Sequence, residues 1–190
     1  MRLEGLLQAA LLAVAAASTA PTVKIQVDPS VQAGSCTKQA TGFACADLHA
    51  ALKQAADKSL ANSAVTVSFS GTLTDGPYKV AAPGGEGSLV VDGGGKAVID
   101  GRKNSTLMAI GGGAVTISGI TFLNGYVPAQ HAPKGAAAVS AQAHTMIFED
   151  CTFQGNRGFD GGAVLAYHNE LSFVRCHFKD NQGYGGELAR

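Results

Sequence analysis

Short runs of alternating apolar and polar residues fill the second half of the chain, and one of them repeats. Phe148–Asn156 (FEDCTFQGN) recurs as Phe173–Asn181 (FVRCHFKDN), with Phe, Cys, Phe and Asn each returning at an offset of 25. Gly161-Gly162 returns as Gly185-Gly186 after a one-residue deletion. An earlier copy, Ile117–Phe122 (ISGITF), precedes Phe148–Phe153 by 31, and the surplus falls in the loop Tyr126–Lys134, which holds Pro128 and Pro133. Upstream, Leu89-Val90-Val91 and Val98-Ile99 read as two more short strands, running into Asp92-Gly93 and Asp100-Gly101 turns. The same residue type at one fixed offset predicts a coil of parallel strands, each layer stacking on the last. In that coil Ile117, Phe148 and Phe173 share one inward column, and Phe122, Phe153 and Phe178 another. Cys151 and Cys176 also point inward, while Asn156 and Asn181 form a ladder at a corner that tolerates left-handed backbone. A β-sandwich would explain the alternation but not the offset.

The period changes before the coil. Within Ala46–Leu60, Leu48, Ala51, Leu52, Ala55 and Ala56 share one helical face, with Asp47 as N-cap. An amphipathic helix here would cover the open first layer. Further upstream, Leu6–Ala17 is an apolar run broken only by Gln8 and followed by small residues, the pattern of a secretory signal cleaved after Ala17 or Ser18. The run is shorter than the roughly 20 residues of a membrane span. The expected organisation is a signal peptide at 1–20, an N-terminal segment with the capping helix at 21–62, and the coil at 63–190. That last stretch has room for roughly five layers, and its final repeat lacks the polar closing turn of a solenoid end. The coil is therefore expected to continue beyond Arg190.

Composition sharpens the picture in three places. Gly supplies 25 of 190 residues, well above the usual ~7%, and Trp is absent, which suits a turn-rich, all-β chain. The 14 basic and 14 acidic residues balance, so no global field draws nucleic acid, and no membrane span is expected in the mature chain. The four cysteines fit an oxidising destination. Cys36 and Cys45 are the candidate disulfide, a local staple ahead of the first strand. Cys151 and Cys176 lie one layer apart, about 4.8 Å, and are read as stacked core thiols with a bridge as the alternative. No Cys-x-x-Cys and no His pair at metal spacing points to zinc. Asn104-Ser105-Thr106 is an N-glycosylation sequon.

On these motifs the chain resembles right-handed parallel β-helix proteins of the pectin-lyase-like superfamily. Phe153-Gln154-Gly155-Asn156, Phe178-Lys179-Asp180-Asn181 and Gly161-Gly162-Ala163-Val164 are similar to the repeats of chlamydial polymorphic outer-membrane proteins, and Gly185-Gly186-Glu187-Leu188 is an imperfect copy. The resemblance implies a secreted or surface-displayed adhesive role. Ile147–Phe153 also resembles a pectate lyase strand, with Glu149-Asp150 where those enzymes carry Asp-His and with Asp160-Gly161 echoing a downstream Asp-Gly. Pectate lyase chemistry needs carboxylates holding calcium and an arginine base. Here Gly135–Val139 stands where a ligand carboxylate is expected, and no Arg-x-Pro-x-x-Arg segment occurs.

The expected function is therefore a secreted, non-catalytic β-helix module that binds cell-surface or cell-wall carbohydrate or protein, without a cofactor. The alternative is a polysaccharide lyase or hydrolase with part of its site beyond Arg190, the one reading that calls for calcium. Glu149, Asp150 and Asp160 are the candidate ligand or calcium face, against the simpler reading of a solvated corner. Arg175, one layer below Asp150, is expected to pair with it. His144 and His168 are read as surface histidines, Tyr78 as core, and Tyr126, Tyr167 and Tyr184 as aromatic platforms for sugar rings. An uncovered last layer implies end-to-end self-association as a further partner mode.

Overall fold

The computed structural model describes residues 20–74, 76–127, 138–167 and 170–183. The signal region up to residue 19, the proline loop, His168, Tyr184 and Gly185-Gly186 lie outside them. The chain opens with β1 (Thr22–Val27), β2 (Cys36–Gln39) and β3 (Gly42–Cys45), then α1 (Leu48–Ala55) and a short 3-10 turn at Lys58–Leu60. There follow β4 (Ala64–Ser68), β5 (Gly71–Leu73), β6 (Tyr78–Val80), β7 (Ser88–Asp100), β8 (Met108–Gly111) and β9 (Ala114–Leu123). After the proline loop come β10 (Val139–Gln142), β11 (Thr145–Glu149), β12 (Thr152–Gln154), β13 (Arg157–Gly158) and β14 (Val164–Ala166). The last described strands are β15 (Glu170–Val174), β16 (His177–Lys179) and β17 (Gln182–Gly183).

The first sheet carries a parallel ladder β1-β4-β7-β9-β11-β15, and a second sheet runs β6-β8-β10-β14, also parallel. A third pairs β13 with β17. Register places Ile25, Val67, Val91, Ile117, Phe148 and Phe173 in one continuous column. After a corner, Leu73, Ile99, Phe122, Phe153 and Phe178 form another. Strict alternation makes this work: in β11, Met146 and Phe148 are buried while their neighbours face outward. Phe122, Phe153 and Phe178 stack with ring centroids 5.0 and 4.9 Å apart, and Phe148 meets Phe153 edge-on at 5.4 Å.

Corners repeat as faithfully as columns. Gly119, Asp150 and Arg175 all adopt φ near +51° to +62° at the bend between the two arms of the first sheet, and Asn124, Gly155 and Asp180 adopt +52° to +65° at the next bend. Beside this second corner Asn156 is fully buried, and its side chain is saturated. Its Oδ1 accepts from the Gly125 N–H at 2.8 Å, and its Nδ2 donates to the Phe122 carbonyl at 3.0 Å and to Asn181 Oδ1 at 2.9 Å. Asn181 Nδ2 in turn donates to the Phe153 carbonyl.

Four expectations shift. The stack begins at β1, which pairs with β4 well before Ser63, because Val23, Ile25 and Val27 alternate with Thr22, Lys24 and Gln26. Cys36 and Cys45 consequently lie within strands rather than ahead of them, disulfide-bonded across the antiparallel β2–β3 pair. The two strands expected at Leu89–Val91 and Val98–Ile99 are one long β7, bent where its register shifts between Asp92 and Ala97. The helix is shorter than Ala46–Leu60: Asp47 caps it by accepting from the Ala50 N–H, but Asp57 accepts from the Ser59 N–H and opens a separate 3-10 turn. α1 packs against β6, the terminal strand of the second sheet, and against β1 and β4.

Burial grades along the columns. Phe153 is fully buried, whereas Phe173 and Phe178 on the last described layer are 39% and 50% exposed. Phe153→Ala should therefore lower the unfolding free energy by about 3–5 kcal/mol, while Thr152→Ala on the outward face of the same strand should cost under about 1 kcal/mol. Urea denaturation of the two variants checks this, and equal losses would contradict the layered core.

Candidate functional site

The acidic residues singled out in the sequence do not converge. Glu149 and Asp150 sit at the first corner, but β12, the second corner and β13 intervene before Asp160, so the expected single face is divided between two bends of the layer. Among the described residues no group of three or more His, Cys, Asp or Glu side chains is arranged to hold a metal ion. Asp150 instead receives two hydrogen bonds from Arg175, Nε to Oδ1 at 2.6 Å and Nη2 to Oδ2 at 2.8 Å. That guanidinium holds the Asp150 carboxyl below the usual range, and the carboxylate raises Arg175. Both side chains are more than half exposed, so the pair aligns two layers at their surface and adds little stability.

Cys151 and Cys176 are both free thiols. Cys151 is buried, with its sulfur donating toward the Glu149 and Ile117 carbonyls at 3.3 and 3.5 Å, and burial pushes its pKa up to about 12. Cys176, half-buried, makes the equivalent contacts to Val174 and Phe148. Asn104 is exposed, in the turn that follows Gly101. His144 is exposed as well, and Tyr78 is buried with its ring 4.5 Å from that of His49.

Two concavities stand out among the described residues. The first is a polar cleft of about 330 Å³ beside the second corner, lined by Lys103, Tyr126, Arg157, Asp180 and Gln182, with Gly125 and Gly155 in its floor. Its construction follows from register: Tyr126 bridges Arg157, and Arg157 pairs with Gln182, so an aromatic ring, a cation and an amide stand in a row across three layers. Lys103, itself at φ +58°, donates its backbone N–H to the Asn124 carbonyl and so is tied to the same corner. The second concavity, about 800 Å³ and predominantly apolar, lies between α1 and the outer face of β6, β8 and β10. Of the aromatic platforms expected from sequence, Tyr126 lines the polar cleft and Tyr167 is half-buried. Lys103, Arg157 and Gln182 were not singled out, because nothing in their local sequence shows that the corner gathers them. The Tyr126–Arg157–Gln182 row follows once the 31- and 25-residue offsets are continued beyond Phe122, Phe153 and Phe178.

Residues 78–190 match a protein-family model described as "Right handed beta helix region". No curated protein and no solved structure gives a significant match to the chain.

The contrast between the two free thiols has a measurable consequence. In the native protein at pH 8 Cys176 should react with a maleimide well before Cys151. An unfolded thiol ionises near pH 8.5 while native Cys151 stays neutral to about pH 12, so the unfolded chain binds fewer protons in that window. Stability should fall as pH rises from about 9 toward 12, with a shallower fall in Cys151→Ala; equal labelling rates and equal slopes would refute the burial argument.

Proposed function

The chain belongs to the right-handed β-helix family, and from that premise we propose that it is a secreted or surface-displayed module that binds a cell-surface or cell-wall polysaccharide without transforming it. The observation that carries this reading is the polar cleft at the second corner. Sugar recognition needs an aromatic face for the apolar side of a ring and convergent donors and acceptors for its hydroxyls. Tyr126 supplies the first, and Lys103, Arg157, Asp180 and Gln182 supply the second. Successive strands stand about 4.8 Å apart, and Tyr126, Arg157 and Gln182 occupy equivalent positions on three of them, so the cleft runs along the stack, a geometry suited to a polymer rather than a single small solute.

Two further features support this reading. The Cys36–Cys45 bond is of the kind that persists in oxidising compartments. α1 buries Leu48, Ala51, Leu52 and Ala55 beside β6, β1 and β4, the role of a cap over the first layers.

Binding of the purified chain to insoluble wall polysaccharide, read by pull-down depletion, tests the proposal. Tyr126→Ala combined with Lys103→Ala should reduce binding about tenfold, the loss of one stacking platform and one charge-assisted hydrogen bond. Retention of full binding by this variant would remove the cleft as the site.

A further inference from the structure

The larger concavity has a chemistry of its own. One wall is α1 with its C-cap residue, presenting Leu52, Lys53 and Ala56; the floor is the outer face of the second sheet, where Lys79, Ala109 and Ser140 stand opposite one another in β6, β8 and β10. The small side chains at Ala109 and Ser140 leave the trough open across three strands. Its volume of about 800 Å³ falls within the range of small-molecule sites. It differs from the polar cleft in two respects. No tyrosine, phenylalanine or tryptophan lines it, so sugar stacking has no platform. Among the described residues, the only full charges on its lining are Lys53 and Lys79, with no carboxylate beside them. Neither lysine pairs with an acid among the described residues, and the chain as a whole carries no net charge that would explain a local positive excess.

The wall is preformed. Asp47 caps α1, the His49 ring rests on the Tyr78 ring at the helix–β6 junction, and α1 buries its apolar face beside the disulfide-bonded β2–β3 pair. A ligand entering this trough would therefore not have to order its walls.

We propose that this trough is a second binding site, independent of the polar cleft, for a single-chain aliphatic carboxylate. The hydrocarbon chain lies along the Ala109–Ser140 floor against Leu52 and Ala56, and the carboxylate sits between Lys53 and Lys79. Burying methylenes supplies the affinity, and the two ammonium groups select the anionic head.

The test is titration calorimetry of the intact chain with laurate below its micellar range, with dodecanol and acetate as controls. The expected result is saturable, single-site laurate binding, weaker dodecanol binding and none of acetate. Lys53→Gln with Lys79→Gln should weaken laurate about tenfold and leave dodecanol unchanged, since exposed charges act only on the head group. Ala109→Phe, which fills the floor, should abolish both. Both variants change exposed or half-exposed positions and should keep the parental melting temperature. Failure to bind laurate, several unsaturable equivalents, or equal laurate affinity in the double-lysine variant would each overturn the proposal. Co-sedimentation with anionic phosphatidylglycerol vesicles in the absence of laurate binding would overturn it in favour of a membrane surface.

Discussion

Everything in this protein depends on register between neighbouring layers. A strand in the stack satisfies its backbone N–H and C=O groups only through the strands about 4.8 Å above and below it, so each residue inherits the environment of its column. That is why a β-branched residue or a phenylalanine occupies every position from Ile25 through Val67, Val91, Ile117 and Phe148 to Phe173. A slip of one residue would turn that whole column to solvent. Asn156 guards against the slip more strictly than any apolar side chain can. Its buried amide finds the Gly125 N–H, the Phe122 carbonyl and Asn181 only in one register, and an unsatisfied amide there would cost about 1–3 kcal/mol per group.

The same constraint builds the surface. Left-handed residues recur at Gly119, Asp150 and Arg175 and again at Asn124, Gly155 and Asp180, so the last three described layers bend at the same two places. Side chains beside a bend then project in rows. At the first corner the row is neutralised internally by the Asp150–Arg175 pair. At the second it gathers Tyr126, Arg157 and Gln182 with Lys103 and Asp180 around a cleft. Chemistry at such a site is set by which residues the offset brings into line, and hardly at all by their neighbours in sequence.

That division also marks what was legible in the chain. The phenylalanine columns, the inward cysteines, the Asn156–Asn181 ladder and the Asp150–Arg175 pairing all follow from a residue type repeated at one offset. β1 was equally readable from the alternation of Val23, Ile25 and Val27, but it joins β4 at an offset of 42, with a hairpin and a helix between them, far from the local period. The likeness to a lyase strand groups Glu149 and Asp150 with Asp160, with a solvated corner as the simpler reading; the second corner and β13 lie between them along the layer. Lys53 and Lys79 share a trough only through the packing of α1 on β6, a contact that no periodicity encodes.

The most direct measurement is native-state hydrogen exchange followed residue by residue. If register locked at Asn156 holds the stack together, the amides of Gly125 and Asn156, which donate to Asn156 Oδ1 and Asn181 Oδ1, should open only with global unfolding, alongside the central strands β7 and β9. Exchange at those two amides as fast as in an unstructured peptide would contradict the account.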